Sequence, residues 1–430
     1  QDMIVRFKDR KQPWGAFPEY MAIQLNDTHP SIAIPELMRL LIDEEELEWD
    51  ESWQICCQTF AYTNHTVLPE ALERWSVELL NNLLPRHMEL IYQINDRFLQ
   101  QVRQRNPRDP GLLSRVSMIE EGWEKQVRMP FLSIVGSHTT NGVAALHTEL
   151  LKETIFRDFY GLFPERFQNK TNGITPRLWL RCANPELSEL ISDNIGSDWI
   201  TNLDKLKKLL ELASTESFQH QWQEVKRRKK QQLCEWILAT HKVELAVDSL
   251  FDVQVKRIHE YKRQLLNILH VVHLYDQLRK KTKMNAPKRT FLFGGKAAPG
   301  YYMAKQIIRL INDVAAKVNT DVNIEDRLRV LFVTNYGVSS SEKIIAASEV
   351  SEHISTAGTE ASGTSNMKFS LNGCILLGTH DGATIEIGEE VGSENIFTFG
   401  MKAYDVQHLR ANGYDPQQIY NENPRVQNVL

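Results

Sequence analysis

Short apolar runs alternate with amphipathic stretches of helix length through the second half of the chain. The apolar runs fall at residues 250–255, 289–295, 328–333 and 374–378. The amphipathic stretches fall at about residues 259–281, 301–318 and 340–350. This alternation predicts an α/β fold in which a parallel sheet carries helices on both faces. Ligands of such sheets bind beyond the carboxyl ends of the strands, and the glycine-rich and basic residues of this chain fall at those ends.

The first 170 residues have a mostly helical pattern. Apolar residues recur at helical spacing over residues 35–42 and 84–102. A length of 430 residues predicts two or three domains rather than one.

The charge balance and the cysteine pattern disfavour several classes of protein. The 50 lysines and arginines against 55 aspartates and glutamates leave a net charge of −5, which argues against nucleic acid as a partner. The sequence shows no membrane span and no secretory signal. The five cysteines include no CxxC pair, so we predict neither a metal site nor a disulfide framework. This cysteine usage favours a reducing, cytoplasmic setting.

A glycine-rich segment at residues 294–300 (GGKAAPG) follows one of the apolar runs. It lacks the spacing and the Ser or Thr of a nucleotide-binding P-loop, because alanine follows the lysine. The segment is equally compatible with a tight turn between a strand and a helix.

Residues 358–369 form the densest run of small and polar residues. Thr364 and Ser365 are good helix-start residues, and a helix beginning there directs free backbone amides at an anion such as a phosphate. Lys368 would then lie about one turn into the helix, close enough to form an imine with an aldehyde cofactor. Glu360 lies beside this anion site, where it would hold hydroxyl groups. A capped helix start without a ligand explains the same spacing equally well.

A second concentration of charge lies where the strand at 250–255 leads into the next helix. Lys256, Arg257, Lys262 and Arg263 place four cations at this junction. Cations usually favour the other end of a helix, so their position here indicates anion binding. The alternative is a surface helix start whose cations pair with acids.

Two further features have a structural explanation. His65 is a lone histidine in a polar turn, and such a residue is more often structural than catalytic. The basic run at residues 226–230 lies in polar helical sequence, which predicts a solvated helix face.

Together these segments resemble the α-glucan (glycogen and starch) phosphorylase family. The resemblance covers essentially the whole chain, and its motifs are long and ordered. They lie at residues 24–30 (QLNDTHP), 62–73 (YTNHTVLPEALE), 169–176 (NKTNGITP), 251–265 (FDVQVKRIHEYKRQL), 294–300 (GGKAAPG), 354–369 (ISTAGTEASGTSNMKF) and 381–383 (DGA).

The resemblance implies two facing Rossmann-like domains of the glycosyltransferase B type, with the active site in the cleft. Residues 1–172 would be the C-terminal part of a first catalytic domain that is incomplete. Residues 173–430 would be a pyridoxal-phosphate-binding α/β domain whose last helices are missing. The implied reaction is reversible phosphorolysis of α-1,4-glucan to α-glucose 1-phosphate with retention. The implied cofactor is pyridoxal 5′-phosphate, whose phosphate acts as acid and base.

The resemblance also implies roles for individual residues. Lys368 matches the lysine that binds the cofactor covalently. The other cofactor-binding residues would be Lys256, Thr364, Ser365, Trp179 and Tyr336. Arg257 and Lys262 would hold the substrate phosphate. The glucosyl unit would be held by His65, Glu360, Asn172, Tyr261, Ser362 and Gly363, with His65 also stabilising the developing sugar cation.

Family members are longer at both ends, so the resemblance predicts a truncated chain that lacks the glycine-rich loop completing the phosphate pocket. The full-length form is expected to be a cytoplasmic homodimer acting on α-1,4-glucan and orthophosphate. Two other hypotheses stay open at this point. One is a nucleotide-sugar glycosyltransferase of the same architecture, and the other is a non-catalytic glucan-binding fragment.

Overall fold

The computed structural model describes residues 1–280 and 287–430. The chain divides into two compact units, Gln1–Thr171 and Asn172–Leu430. Each unit contains its own parallel sheet with helices, which confirms the prediction of an α/β chain with parallel sheets. The predicted helix end at Lys281 lies outside the described residues.

The first unit is built on two small sheets. Its strands are β1 (Ile23–Asn26), β2 (Phe60–Thr63), β3 (Arg74–Ser76), β4 (Ile119–Glu120), β5 (Gln126–Arg128), β6 (Thr139–Gly142) and β7 (Phe167–Asn169). Its helices are α1 (Asp2–Lys8), α2 (Phe17–Tyr20), α3 (Ala33–Arg39), α4 (Trp49–Thr59), α5 (Val77–Leu83), α6 (Pro85–Arg105), α7 (Leu112–Val116), α8 (Met129–Val135), α9 (Ala145–Glu153) and α10 (Arg157–Leu162). Strands β1-β2-β6-β7 form a parallel sheet in that order, and β3-β5-β4 form an antiparallel one.

The second unit is built on one larger sheet. Its strands are β8 (Leu250–Val255), β9 (Arg289–Gly294), β10 (Leu328–Val333), β11 (Val350–His353), β12 (Ile375–Thr379) and β13 (Phe397–Phe399). Its helices are α11 (Pro185–Ile195), α12 (Glu216–His241), α13 (Gln264–Arg279), α14 (Tyr302–Thr320), α15 (Val338–Ala347), α16 (Ser365–Leu371), α17 (Ala383–Val391), α18 (Ala403–Asn412), α19 (Pro416–Glu422) and α20 (Pro424–Val429).

The strand order of the larger sheet determines where a ligand can bind. Within the described residues the order is β10-β9-β8-β11-β12-β13, and every neighbouring pair is parallel. Counted from the first strand of the unit this is the Rossmann order, which reverses direction between the first and fourth strands. The crevice of such a sheet opens at that reversal, beyond the carboxyl ends of β8 and β11.

The pairing between strands is uneven across the same sheet. The register joins β8 to β9 along their whole length, from Leu250 opposite Arg289 to Val255 opposite Gly294. By contrast, β8 and β11 are joined at two positions, Val350 opposite Asp252 and Ser351 opposite Val253.

Two predicted elements of the second unit differ from the structure. The helix predicted at 259–281 begins at Gln264, because Glu260–Lys262 form a 3₁₀ turn and Arg263 has a left-handed φ of 58°. The helix predicted at 340–350 ends at Ala347 and is followed by strand β11. Nothing in the hydrophobic pattern indicated β11, since Ser351, Glu352 and His353 are polar although the strand is buried.

The prediction of a solvated helix face at residues 226–230 is wrong for three of its five residues. Lys229 and Lys230 are buried, and Lys226 is partly buried. The spacing of these lysines continues through the buried Leu233 and Ile237, so they share the inward face of α12. Their ammonium groups are satisfied by backbone carbonyls and carboxylates, which is the condition for burying a lysine.

None of the helices within residues 1–280 and 287–430 combines the length and apolar character that crossing a lipid bilayer requires. In the same residues, no His, Cys, Asp and Glu side chains are grouped so that they could hold a metal ion. All five cysteines are free.

Candidate active site

At the reversal point of the larger sheet, a lysine after β8 forms a hydrogen bond with a histidine of β11. Lys256 directly follows β8, and its Nζ lies 3.3 Å from Nδ1 of His353, the last residue of β11. Burial, followed by repulsion from Lys256 and Lys262, holds the pKa of His353 well below its usual range, so the ring is neutral. The other ring nitrogen, Nε2, lies 2.6 Å from the Ser351 hydroxyl. The Lys256 ammonium therefore donates to a neutral ring.

Lys256 carries its charge at an electrostatic cost. Burial and, after it, the nearby Lys262 ammonium lower its pKa to about 8, although Glu360 and Glu352 oppose the shift. A partly buried ammonium of this kind is stabilised by an anion, because the anion compensates both the lost hydration and the repulsion between the two lysines. The end of β8 is therefore suited to binding an anion such as a phosphate.

The glycine turn after β9 permits close packing against this lysine. The amide of Lys256 donates to the carbonyl of Gly294 over 2.9 Å. Gly295 has a φ of 158°, and a Cβ there would lie 1.9 Å from the Lys256 carbonyl oxygen. A Cβ on Gly294 would lie 3.4 Å from the ring of Tyr336. The segment at 294–300 thus forms the tight strand-to-helix turn that was one of its two interpretations, and it brings Tyr336 beside the end of β8.

The loop after β11 is organised around one buried carboxylate. Asp381 accepts the hydroxyl of Ser355 at 2.7 Å and the amides of Gly358 and Glu360 at 2.9 Å each. It also accepts the amide of Gly382 at 3.0 Å. Burial raises the pKa of Asp381 to about 6, although the hydroxyl and amide donors favour the ionised form. Asp381 therefore fixes the backbone that carries Glu360.

Glu360 links the loop to the cation cluster. Its carboxylate forms an ion pair with Lys262 and accepts a hydrogen bond from the Tyr261 hydroxyl at 3.3 Å. The Lys262 ammonium lies 4.6 Å from the centre of the Tyr261 ring. Burial lowers the pKa of Lys262, but the interactions with Glu360 and Tyr261 together outweigh it, so the pKa is raised and the lysine is charged. Glu360, Lys262 and Tyr261 thus form one polar cluster that contains both hydrogen-bond donors and hydrogen-bond acceptors.

The strand-to-helix turn around Ser362 and Gly363 is close to the same cluster. Gly363 has a left-handed φ of 74°, and the Ser362 hydroxyl donates to the Gly363 carbonyl at 2.8 Å. Gly382 packs so tightly that a Cβ there would lie 2.6 Å from the Ser362 carbonyl oxygen. Glycine is therefore required at position 382.

Lys368 lies on the helix that follows this loop. The helix predicted to start near residues 364–366 begins at Ser365, with Thr364 as its N-cap residue. The Lys368 ammonium lies 3.9 Å from the ring centre of Trp179, and burial lowers its pKa. A lysine with a lowered pKa has more of the neutral amine that attacks a carbonyl group. The Lys368 amine is therefore a candidate nucleophile of this site.

The remaining predicted residues have different surroundings. Trp179 lies in a π-helical turn, Arg177–Cys182, and together with Tyr336 it packs on the apolar cluster that contains Val255 and Phe369. Burial raises the pKa of Tyr336 to about 12. Arg257 is exposed, and Asn172 is partly exposed at the start of the second unit.

His65 belongs to the first unit. Its Nε2 lies 2.6 Å from the carboxamide oxygen of Asn26, so this nitrogen carries the proton and donates it. Burial lowers the pKa of His65, which keeps the ring neutral at neutral pH. Asn26 ends β1 and His65 follows β2, so the pair stands at the carboxyl edge of the smaller parallel sheet.

Sequence reasoning missed three polar residues that support the site: His353, Asp381 and Asn372. Asp381 lies in a motif that the resemblance rests on, but its role depends on contacts with residues more than 20 positions away. Asn372 is fully buried at the end of α16 and carried no sequence signal beyond a neighbouring glycine. A buried polar strand such as β11 gives no apolar run from which His353 could be found.

Comparison with known proteins places these features in a family. The carbohydrate phosphorylase family matches the chain over residues 1–430. Glycogen phosphorylase of Synechocystis is 54% identical over 430 residues, covering 100% of this chain and 51% of that protein. The muscle forms of glycogen phosphorylase from sheep and human are each 53% identical over 438 residues, covering 100% of this chain and 52% of those proteins. The chain thus spans about half the length of these relatives. It belongs to the carbohydrate phosphorylase family.

Proposed function

We propose that the chain carries part of the active site of an α-glucan phosphorylase. The reaction is the reversible phosphorolysis of glycogen, starch or maltodextrin ends to α-glucose 1-phosphate with retention. The observation that carries this proposal is the pair of lysines, Lys256 and Lys262, at the reversal point of the larger sheet. Each influences the pKa of the neighbouring groups, and an anion relieves their repulsion. Relatives named glycogen phosphorylase support the same assignment.

The residues present fit pyridoxal 5′-phosphate. Lys368 offers an amine of lowered pKa to an aldehyde, and Lys256 offers an ammonium to a phosphate. The hydroxyls of Thr364 and Ser365 lie at the start of α16, the helix that carries Lys368. The rings of Trp179 and Tyr336 supply apolar faces. When bound, the cofactor would supply a phosphate group that exchanges protons.

Lys262 and Arg257 are proposed to hold orthophosphate. Two phosphates held close together repel each other strongly unless cations lie between or beside them. Lys262 is charged and anchored by Glu360, whereas Arg257 is exposed and able to reach a bound anion. Binding of phosphates gives a physical reason for the crowding of cations at this junction. Within the described residues, pairing with an acid accounts for Lys262 but not for the neighbouring cations.

Glu360, Tyr261, Ser362, Gly363 and Asn172 are proposed to hold the glucosyl unit. Carboxylate, hydroxyl and backbone groups of this kind match the hydroxyls of a sugar. We further propose that His65 contributes its neutral ring to the same sugar and stabilises the charge that develops on it. Fixed polar groups act chiefly on a charged transition state, because they need no reorganisation as the charge forms.

The cellular compartment and the oligomeric state are also part of the proposed function. The full-length protein is proposed to be a cytoplasmic homodimer with α-1,4-glucan and orthophosphate as its substrates. Free cysteines agree with a reducing compartment.

The test is an assay of phosphorolysis. The 430-residue chain and a longer protein that contains it, of the length of the relatives, are loaded with pyridoxal 5′-phosphate. Each is then incubated with maltodextrin and orthophosphate, and α-glucose 1-phosphate is measured. We expect product from the longer protein, and none without the cofactor. No product at any pH would refute the proposal, and glucan binding without product by both proteins would favour a binding role. Turnover with a nucleotide sugar and no cofactor would indicate the other glycosyltransferase class.

A further inference from the structure

A fully buried asparagine joins the segment that carries Trp179 to the helix that carries Lys368. The Nδ2 of Asn372 donates to the Trp179 carbonyl at 2.7 Å and to the Lys368 carbonyl at 3.0 Å. Its Oδ1 accepts the Nδ2 of Asn184 at 3.1 Å. Both amide protons and the amide oxygen therefore have partners. Asn372 and Trp179 lie 193 residues apart in sequence, so this is a tertiary contact and not a local cap.

The backbone of Asn372 is held as firmly as its side chain. The Lys226 ammonium donates to the Asn372 carbonyl at 3.0 Å, and also to the carbonyls of Ala346 at 3.1 Å and Ser348 at 2.8 Å. Burial lowers the pKa of Lys226 to about 8, and the three carbonyls use all three of its N–H groups. One ammonium thus ties the end of α15 to the end of α16.

The position of Trp179 depends on such ties. It lies in a π-helical turn, where backbone groups depart from the regular α-helical pattern. The Trp179 carbonyl accepts a hydrogen bond from the Asn372 side-chain amide. The centre of the Trp179 indole ring lies 3.9 Å from the Lys368 ammonium. Loss of the amide would leave two carbonyls and the Asn184 amide without this partner, and would release the Trp179 segment from α16.

We propose that Asn372 is a positioning residue that holds the Lys368 amine against the Trp179 indole and thereby sets the reactivity of that amine. This inference rests on the proposed role of Lys368. The indole face attracts the charged form, but burial beside it withdraws the amine from water, and burial sets the direction of the shift, so the pKa of Lys368 is lowered. Release of the contact returns the amine to water and lowers its reactivity toward an aldehyde at neutral pH.

The first test measures Lys368 without any cofactor. The chain is labelled with acetic anhydride across pH 7 to 11, and acetylation of each lysine is quantified by peptide mass spectrometry, with exposed Lys207 as the internal reference. In Asn372→Ala we expect the titration midpoint of Lys368 to move upward by about half a pH unit to one unit. Asn319→Ala is the matched control. The Asn319 side-chain amide also joins two elements, because its Nδ2 donates to the Val330 carbonyl and its Oδ1 accepts the Val330 amide, and neither residue is near Lys368 in sequence.

The two variants separate positioning from general destabilisation. Both are expected to lower the free energy of unfolding, but only Asn372→Ala is expected to move the Lys368 midpoint. Equal loss of stability with no change of the midpoint in either variant would overturn the proposal. If Asn372→Ala does not fold, Asn372→Ser keeps one donor, and a smaller upward movement of the midpoint is expected. An unchanged midpoint in that variant would overturn the proposal equally.

The second test uses the aldehyde. The rate of covalent attachment of pyridoxal 5′-phosphate to Lys368 at pH 7 should fall about threefold to tenfold in Asn372→Ala, in proportion to the smaller neutral fraction. Binding of orthophosphate to the unloaded chain should stay unchanged. Failure of phosphorolysis would count against the proposed function, whereas the labelling midpoint would still decide the role of Asn372.

Discussion

The two parallel sheets differ in the polar groups that lie near the carboxyl ends of their central strands. In the first unit, neutral side chains bridge three strands: the Gln24 amide of β1 donates to the Thr63 hydroxyl at the end of β2 at 2.8 Å, and that hydroxyl donates to the Asn141 oxygen of β6 at 2.8 Å. In the second unit Lys256 follows the end of β8, and the connection that follows contains Lys262. These neutral groups satisfy one another, whereas the two lysines of the second unit are charges that a ligand would stabilise.

The difference shows how the same sheet geometry serves different ligand chemistry. Neutral amides and hydroxyls suit the hydroxyls of a sugar, and they cost little when no ligand is bound. Clustered ammonium groups suit phosphates, and they weaken the fold until an anion arrives. Four predictions, from the largest expected effect to the smallest, examine this contrast.

Lys368→Ala is expected to abolish covalent attachment of pyridoxal 5′-phosphate, because the amine that attacks the aldehyde is removed. The measurement is the protein mass after incubation with the cofactor and reduction with borohydride. Lys296→Ala, in the exposed glycine turn, is the control and should load normally. Loading of Lys368→Ala to the level of the parent chain would assign attachment to another lysine.

Asp381→Asn is expected to lower the free energy of unfolding by about 2 to 3 kcal/mol and to weaken glucan binding, because an amide N–H would face backbone N–H groups. Urea denaturation and a glucan-binding assay measure the two effects. Asp415→Asn is the matched control, since Asp415 also accepts two backbone amides but is exposed at the start of α19. Similar losses in both variants would show that Asp381 has no special role in the loop.

Lys256→Met is expected to stabilise the unloaded chain by about 1 to 2 kcal/mol at pH 7. It should also weaken, at least tenfold, the binding of orthophosphate, which in the unloaded chain takes the place of the cofactor phosphate beside Lys256. The pKa of Lys256 is about 8 in the folded chain, below its ordinary value of 10.5, so the unfolded chain holds the proton more tightly. The cost of the buried charge is complete below pH 8 and disappears as the pH rises toward 10.5. The advantage of methionine should therefore shrink over that range.

Urea denaturation at pH 7 and pH 10 and titration calorimetry with orthophosphate measure these effects. Lys305→Met, on the exposed face of α14, is the control and should change neither quantity by much. A destabilised Lys256→Met chain would mean that the Lys256 ammonium contributes to the fold instead of weakening it.

Thr63→Val is expected to have the smallest effect, a loss of about 1 kcal/mol of stability, because it removes one hydroxyl that bridges strands of the first unit. Orthophosphate binding should not change. Differential scanning calorimetry and the same titration measure both. A stabilised Thr63→Val chain would remove the contrast between the two sheets.

The sequence predicted the sheet of the second unit well wherever strands are apolar. The runs that became β9, β10 and β12 were recognisable because burial on both faces favours continuous apolar residues. β8 was recognisable because apolar residues alternate with Asp252 and Gln254. β11 was missed because its buried side chains are polar and are satisfied by tertiary partners. The start of α16 was predicted because small and hydroxyl residues favour that position.

The site was predictable in its reactive residues and not in their supports. Lys368 and the cations of 256–263 stand out by residue type and local spacing. Asp381, Asn372 and Lys226 act through contacts with residues 21 to 193 positions away, so no local pattern contains their role. Lys226 was even misread as a solvent-facing charge, because a charge pattern does not reveal which carbonyls lie opposite it.

The short pairing between β8 and β11 has a consequence for how the second unit comes apart. β10, β9 and β8 are joined over six-residue registers, whereas β8 and β11 share two positions at the centre of the sheet. Thermal opening should begin at this seam, and backbone amides on its two sides should exchange with deuterium before those of β9. A ligand bound by Lys256 on one side and by the loop after β11 on the other would hold β8 and β11 together. Occupancy would then be read out as slower exchange across the whole sheet.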